Sequence, residues 1–350
     1  MTEPTLDWHD LGTPQGKGWS DQDTVRRYDR LPARAEGMVP EIVWDLSRNA
    51  SGLFSRFRTD ATAIAARWTL GLEQLAMTHM PATAVSGLDL YAEDENSRSR
   101  WVGVGHPETF PDVTYQLATD LDAGERIYTV YFPLFNNLER VEIGLPHGSS
   151  FELLPAREEA PIVYYGTSII HGASASRPGM SLTAQLGRRL DRTFINLGFS
   201  GNGKMEIELA QLIAEIDAAV YVIDCLPNMD AALLRERALP FLQALRAARS
   251  ETPILLVEDR TFTNAWIMAG RRDHHAASRA EICRAYEAMI AAGDTNIHYL
   301  EGAGLLGTDD DATVDSSHPT DLGFARMADT LAPILQHLLT GQSSPYNRPE

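Results

Sequence analysis

The chain has 350 residues, 44% of them apolar and 22% charged, a length that suits two globular domains and a core that needs no disulfide or metal. Its formal net charge of −18 at pH 7 argues against nucleic acid and against an anionic membrane surface, because both are bound through basic patches. Cys225 and Cys283 lie in apolar or helical stretches and read as small buried hydrophobes, which favours a reducing compartment.

In chain order, the opening MTEPTLDWHD lacks a basic segment followed by an apolar one, and no run of 18 apolar residues occurs. The expectation is a cytoplasmic protein with no membrane span. Residues 1–155 are predicted to be an all-β sandwich or jelly roll. Short apolar or alternating runs at 61–70, 85–92, 101–105, 126–134 and 141–145 are separated by polar or Gly/Pro turns. The stretch LEQLAM within this region fits either helix or strand. Asn136 and Asn137 fall in a turn between strands. Trp8, Trp44 and Trp101 read as core aromatics or as platforms for a ring-shaped ligand.

The rhythm changes near Pro155. Residues 156–342 carry five apolar runs at 162–165, 193–199, 218–225, 253–259 and 296–300. Helical patterns accompany them at 179–190, 205–216, 230–249, 276–292 and 321–339. This alternation predicts a three-layer α/β/α domain, flavodoxin-like, around a parallel five-stranded sheet. Residues 343–350 read as a tail. In such sheets ligands bind at the carboxyl ends of the strands, and four residue groups fall there or on a late loop.

The first group is GTSIIHG, where Ser168 follows a strand; a serine there serves as a nucleophile or as a plain helix cap. The second is NLGFSGNG, a Gly-rich turn whose backbone N–H groups can face an anion, although it fits neither the Walker pattern nor the dinucleotide fingerprint. The third is DCLPNM, in which Asn228 follows a strand end; its amide can donate to an oxyanion or simply form a turn. The fourth is DSSHPTDLGF, in which Asp315 and His318 are three residues apart. A carboxylate at that spacing can hold Nδ1–H of the imidazole and leave Nε2 to accept a proton.

These four blocks, in this order over residues 160–340, resemble the SGNH hydrolases, also called GDSL esterases. The resemblance implies a serine esterase with Ser168 as nucleophile, His318 as base and Asp315 as its partner. It further implies an oxyanion hole formed by the N–H groups of Ser168 and Gly201 and the amide of Asn228. No cofactor or metal is implied. The first block reads GTSI rather than GDSL, and the third reads LPNM where the family has G-x-N-D. The GxSxG elbow of the α/β-hydrolases is missing. The leading β-sandwich with the phrases DCLPNM and SHPTDLGF is similar to a subgroup of two-domain bacterial esterases acting on acylated sugars or small acyl esters. The resemblance therefore implies hydrolysis of a short acyl ester, acetyl first, carried by a small molecule or oligosaccharide, with carbohydrates the expected class.

Three further residues are candidates for substrate contact: His171, Arg260 and Trp266. Arg260 also fits a local ion pair with Glu258 or Asp259. Asp273-His274-His275 is placed in a loop that could line the cleft, and adjacent histidines without HExxH-type spacing do not form a metal motif. Two competing readings stand beside hydrolysis. One is acyl transfer by the same triad to an alcohol that outcompetes water. The other is a non-catalytic carbohydrate-binding protein with a degenerate hydrolase domain.

Overall fold

The computed structural model describes residues 5–341; the proposed tail at 343–350 lies outside them. The described chain forms two compact units. The first comprises residues up to 33, 47–158 and 175–179, and the second comprises 34–46, 159–174 and 180 onward. The chain therefore leaves the second unit just after Ser174 and re-enters it at Met180.

The first unit contains nine strands: β1 (Leu6–Asp10), β2 (Phe54–Thr59), β3 (Ile64–Leu70), β4 (Asp89–Glu93), β5 (Ser99–Val104), β6 (Asp112–Ala118), β7 (Arg126–Tyr131), β8 (Leu138–Pro146) and β9 (Glu152–Leu153). They form two antiparallel sheets, ordered β1-β8-β3-β6 and β5-β4-β7-β2-β9. All five predicted strand runs correspond to strands here. β1, β2, β6 and β9 lie outside those runs. LEQLAM forms neither helix nor strand along its length.

The period of two explains the packing. Ile64, Ala66, Trp68 and Leu70 of β3 point inward, as do Val141, Ile143 and Leu145 of β8. Phe57, Leu90, Tyr128 and Val130 come from the other sheet to meet them in one apolar cluster. Trp68 is the largest fully buried side chain, and its indole N–H donates to Ser86 O at 2.9 Å, so its one polar group is satisfied. Asn136 is also interior. Its amide bridges Leu72 N, Leu72 O and Ser86 Oγ, each at 2.9 Å, and pins the loop after β3.

Two short helices come earlier in the chain: α1 (Glu41–Ser47), which falls in the 34–46 segment of the second unit up to Leu46, and α2 (Ala82–Val85) in the first unit. The second unit also holds β10 (Ile162–Gly166), α3 (Ser168–His171), α4 (Leu182–Leu190), β11 (Phe194–Gly198), α5 (Ile207–Ile213), β12 (Val220–Asp224), α6 (Ala231–Ala248), β13 (Ile254–Val257), α7 (Ala269–Ala291), β14 (Ile297–Leu300) and α8 (Asp321–Leu339). The five strands are parallel and ordered β11-β10-β12-β13-β14. Each strand is buried throughout, which is why each reads as a continuous apolar run rather than an alternation. The strand order reverses around β10, so the switch point, where α/β sheets bind ligands, lies between β10 and its neighbours. The register aligns Gly166 with both Gly198 and Asp224, bringing three loops to one level.

One helix departs furthest from its predicted extent. α7 begins at Ala269, so Asp273, His274 and His275 are helical rather than in a loop. The stretch AGRRDHHAA holds no apolar residue larger than alanine and so shows no helical period in the sequence. Among the described residues, no helix is long and apolar enough to cross a membrane.

Candidate active site

Ser168 opens α3 immediately after β10. The turn requires Gly166: a Cβ there would lie 2.5 Å from Ile170 Cγ1 and 2.6 Å from Asp224 O. Thr167 caps the helix in an extended conformation. α3 also packs close against β11, because a Cβ on Gly198 would lie 2.1 Å from His171 N. The serine is thus held between two glycines that let backbone approach backbone. It retains 7% exposure.

Ser168 Oγ lies 2.8 Å from His318 Nε2, across 150 residues of chain. His318 Nδ1 lies 2.7 Å from Asp315 Oδ2. Asp315 Oδ1 accepts from the backbone N–H groups of His318 at 2.8 Å and Ser317 at 3.1 Å. Partial burial opposes ionisation of Asp315, but the backbone and ring N–H groups of His318 outweigh it and hold the carboxyl below its ordinary range. An ionised Asp315 accepts from Nδ1–H, which leaves the Nε2 lone pair facing the serine hydroxyl. This arrangement can remove the proton from Ser168 as its oxygen attacks an electrophile.

The remaining predicted blocks meet around the same strand end. Phe199 N donates to Gly166 O at 3.0 Å, and a Cβ on Gly203 would lie 2.1 Å from that oxygen, so the 199–203 turn sits directly against the end of β10, from which Ser168 follows. Gly201 has a φ of +68° and open space where a Cβ would project. Asn228 ends a short 3-10 turn (Leu226–Asn228) after β12, and its Nδ2 donates to Asn202 O at 2.7 Å. That bond uses one of the two amide hydrogens; the amide is fixed relative to the 199–203 turn while its second hydrogen remains available.

Two of the three candidate substrate contacts lie elsewhere. His171 is fully buried within α3, and Arg260 is 1% exposed. Arg260 donates to the buried Asp224 at the end of β12, not to its sequence neighbours. Tyr164 OH donates to the other oxygen of Asp224 at 3.1 Å. Sheet order decides the partner: β12 and β13 are adjacent, so the groups after them face each other. Trp266, in contrast, is 72% exposed. Its loop is joined to the Asp315–His318 loop by Thr263 N donating to Ser316 O at 3.1 Å.

His275 also faces inward. Its Nε2 accepts from Phe262 N at 3.0 Å, and its Nδ1 lies 3.5 Å from Asp259 Oδ2. Desolvation, with the cations of Arg279 and Arg271 nearby, pushes its pKa down to about 4, so it is a neutral brace for the loop after β13. Among the described residues, no three His, Cys, Asp or Glu side chains gather as a metal-ligand set. Trp8 lies under the Arg67 guanidinium and Trp44 is buried, while Trp101 is half exposed. Asp89 and Arg177 form an ion pair in the first unit that sequence alone does not announce, since GLDLY has the pattern of an ordinary strand.

Fold and site together define an α/β/α hydrolase with a Ser–His–Asp hydrogen-bond relay at the sheet's switch point. The chain belongs to the GDSL-like lipase/acylhydrolase family, whose model matches residues 159–336. Residues 6–151 match the model for the N-terminus of SGNH-hydrolase-type esterases, named GxDLY. A Bacteroides ovatus ATCC 8483 protein assigned as a GDSL-like lipase is similar in structure, with a TM-score of 0.90 at 30% identity over 96% of this chain and 98% of that one. The salicylyl-acyltransferase SsfX3 from a tetracycline biosynthetic pathway shares the fold at TM-score 0.73 and 18% identity, over 96% of each chain. A family two carbohydrate esterase from Clostridium thermocellum shares it at TM-score 0.60 and 13% identity, over 83% of this chain and 93% of that one. No curated protein sequence matches the chain significantly.

Proposed function

We propose that the protein is a serine esterase that removes short acyl groups, acetyl above all, from carbohydrate esters. The observation that carries this reading is the continuous relay Ser168 Oγ–His318 Nε2 and His318 Nδ1–Asp315 Oδ2, at 2.8 and 2.7 Å. Ser168 attacks the ester carbonyl while His318 takes its proton, and Asp315 stabilises the imidazolium. The N–H groups of Ser168 and Gly201 and the second amide hydrogen of Asn228 receive the oxyanion. His318 then protonates the leaving alcohol, and water releases the acyl-enzyme by the same steps in reverse. Exposed Trp266 offers a flat apolar face to a sugar ring. Carbohydrate esterases among the proteins of this fold make that substrate class the first to examine.

The test is turnover of p-nitrophenyl acetate through butyrate by the wild type and Ser168→Ala. Equal rates from the two proteins would refute the mechanism. Acetylated xylan, acetylated monosaccharides and longer acyl esters then define the substrate, and product analysis with added alcohols separates hydrolysis from acyl transfer.

A further inference from the structure

Ser316 follows Asp315 directly in the turn that carries His318, and its φ is +80°. A residue with a side chain is disfavoured there, and such a conformation persists only where surrounding bonds over-determine it. Both backbone polar groups of Ser316 are engaged. Its N–H donates to Thr313 Oγ1 at 3.1 Å, and its carbonyl accepts from Thr263 N at 3.1 Å. The two threonine hydroxyls meet each other, with their Oγ1 atoms 3.0 Å apart across 50 residues of chain. Thr263 and Thr313 therefore close a ring of hydrogen bonds around Ser316.

The reversal at Ser316 is what sets Asp315 beside His318. Asp315 Oδ1 accepts from Ser317 N and His318 N at 3.1 and 2.8 Å, and Val314 N donates to His318 O at 3.0 Å. Thr320 N donates to Ala312 O at 2.9 Å and closes the base of the same loop.

Thr263 itself is a fixed point. Arg279, on α7, donates from Nη2 to Asp259 O at 3.0 Å and to Thr261 Oγ1 at 2.9 Å. Buried Arg260 bonds to Asp224 at the end of β12, and buried His275, on α7, accepts from Phe262 N. Each residue from Asp259 to Phe262 is thus tied to α7 or β12, and Thr263 comes next. Through it the frame of the sheet reaches the 312–320 loop. All of these residues lie in the second unit.

We propose that Thr263, with Thr313, is a positioning device for the catalytic base: the pair clamps Ser316 in its left-handed conformation and so holds the Asp315–His318 turn with Nε2 facing Ser168. The inference rests on the reading of Ser168 and His318 as nucleophile and base. A displacement near 1 Å remote from the reacting atoms can cost on the order of 100-fold in rate.

The experiment compares wild type, Thr313→Val, Thr313→Ser, Thr263→Val and the double valine variant as full chains, by kcat and KM on p-nitrophenyl acetate and by thermal unfolding. Arg246→Ala serves as a stability control in the same unit. It removes bonds to Asp294, Thr252 O and Asn296 O ahead of β13 and β14, at the opposite ends of those strands. Thr313→Val removes both bonds of its hydroxyl, and the expected result is a fall in kcat of about 10-fold with KM nearly constant. Thr313→Ser keeps the hydroxyl and recovers most of that loss. Thr263→Val keeps its backbone bond to Ser316 and lowers kcat by about 3-fold. The double variant loses less than the two single losses multiplied, because the hydroxyls share one contact. Unchanged kcat in folded Thr313→Val overturns the proposal; where that variant does not fold, unchanged kcat in Thr263→Val does so. An equal kcat loss in Arg246→Ala at matched stability overturns it as a merely structural effect. A raised KM with kcat retained overturns it too, since the threonines would then act on substrate binding. Failure of the underlying esterase reading is seen separately, as persistent turnover by Ser168→Ala.

Discussion

Asp315 grips His318 twice, through the ring Nδ1 at 2.7 Å and the backbone N–H at 2.8 Å. A single carboxylate therefore sets both the tautomer of the imidazole and the path of the loop that carries it. Replacing it with an amide separates the two tasks. Asp315→Asn can still accept from the backbone through its oxygen, but its NH2 then faces Nδ1 and favours the tautomer with the proton on Nε2, which cannot accept from Ser168. The expected outcome is a fall in kcat of roughly 10,000-fold with the fold intact, as measured by ester turnover and thermal unfolding. A loss below about tenfold would show that the relay is not used.

Asn228 is held by its bond to Asn202 O, with one amide hydrogen to spare. Asn228→Ala removes the proposed oxyanion donor and the tie to the 199–203 turn together. The prediction is a loss in kcat on the order of 100- to 1000-fold with little change in KM. Asn228→Asp, which keeps the size and removes the donor, should be no better. Activity in the aspartate variant near the wild-type level would remove Asn228 from the mechanism.

Asp259 is buried at the end of β13. Desolvation pushes its carboxyl up to about 7, with Asp224 and Glu258 adding to the rise and Arg260 and Arg279 opposing it. An acid whose folded pKa exceeds its unfolded value destabilises the fold once ionised. That cost is nil below the unfolded value, grows as pH climbs towards about 7, and is constant above it. Asp259→Asn removes the titration. At about pH 8 the variant should be more stable than wild type by up to a few kcal/mol, at about 1.4 kcal/mol per pKa unit, and the difference should close near pH 4. Thermal unfolding at both pH values checks this, and a pH-independent difference contradicts it.

Trp68 fills the centre of the sandwich core with its indole N–H bonded to Ser86 O. Trp68→Ala opens a cavity and strands that carbonyl. The expected destabilisation is about 3–5 kcal/mol, read by chemical denaturation. A change below about 1 kcal/mol would mean that the core collapses around the site.

What the sequence determined by itself was local or periodic. Continuous apolar runs identified the five buried parallel strands, and alternation identified five strands of the sandwich, because burial on two faces or on one leaves a different mark on the chain. The Asp315–His318 pair was legible because three residues of loop can present both groups side by side. Tertiary structure alone decided the contacts that join distant segments. Ser168 and His318 meet across 150 residues. Arg260 passes over its acidic neighbours to reach Asp224, because sheet order sets β12 beside β13. Asp89 finds Arg177 across 88 residues, and GLDLY therefore looked like any half-buried strand. Periodicity records which face of an element is buried; it carries no record of what that face is buried against, and these partners are chosen by sheet order and loop closure.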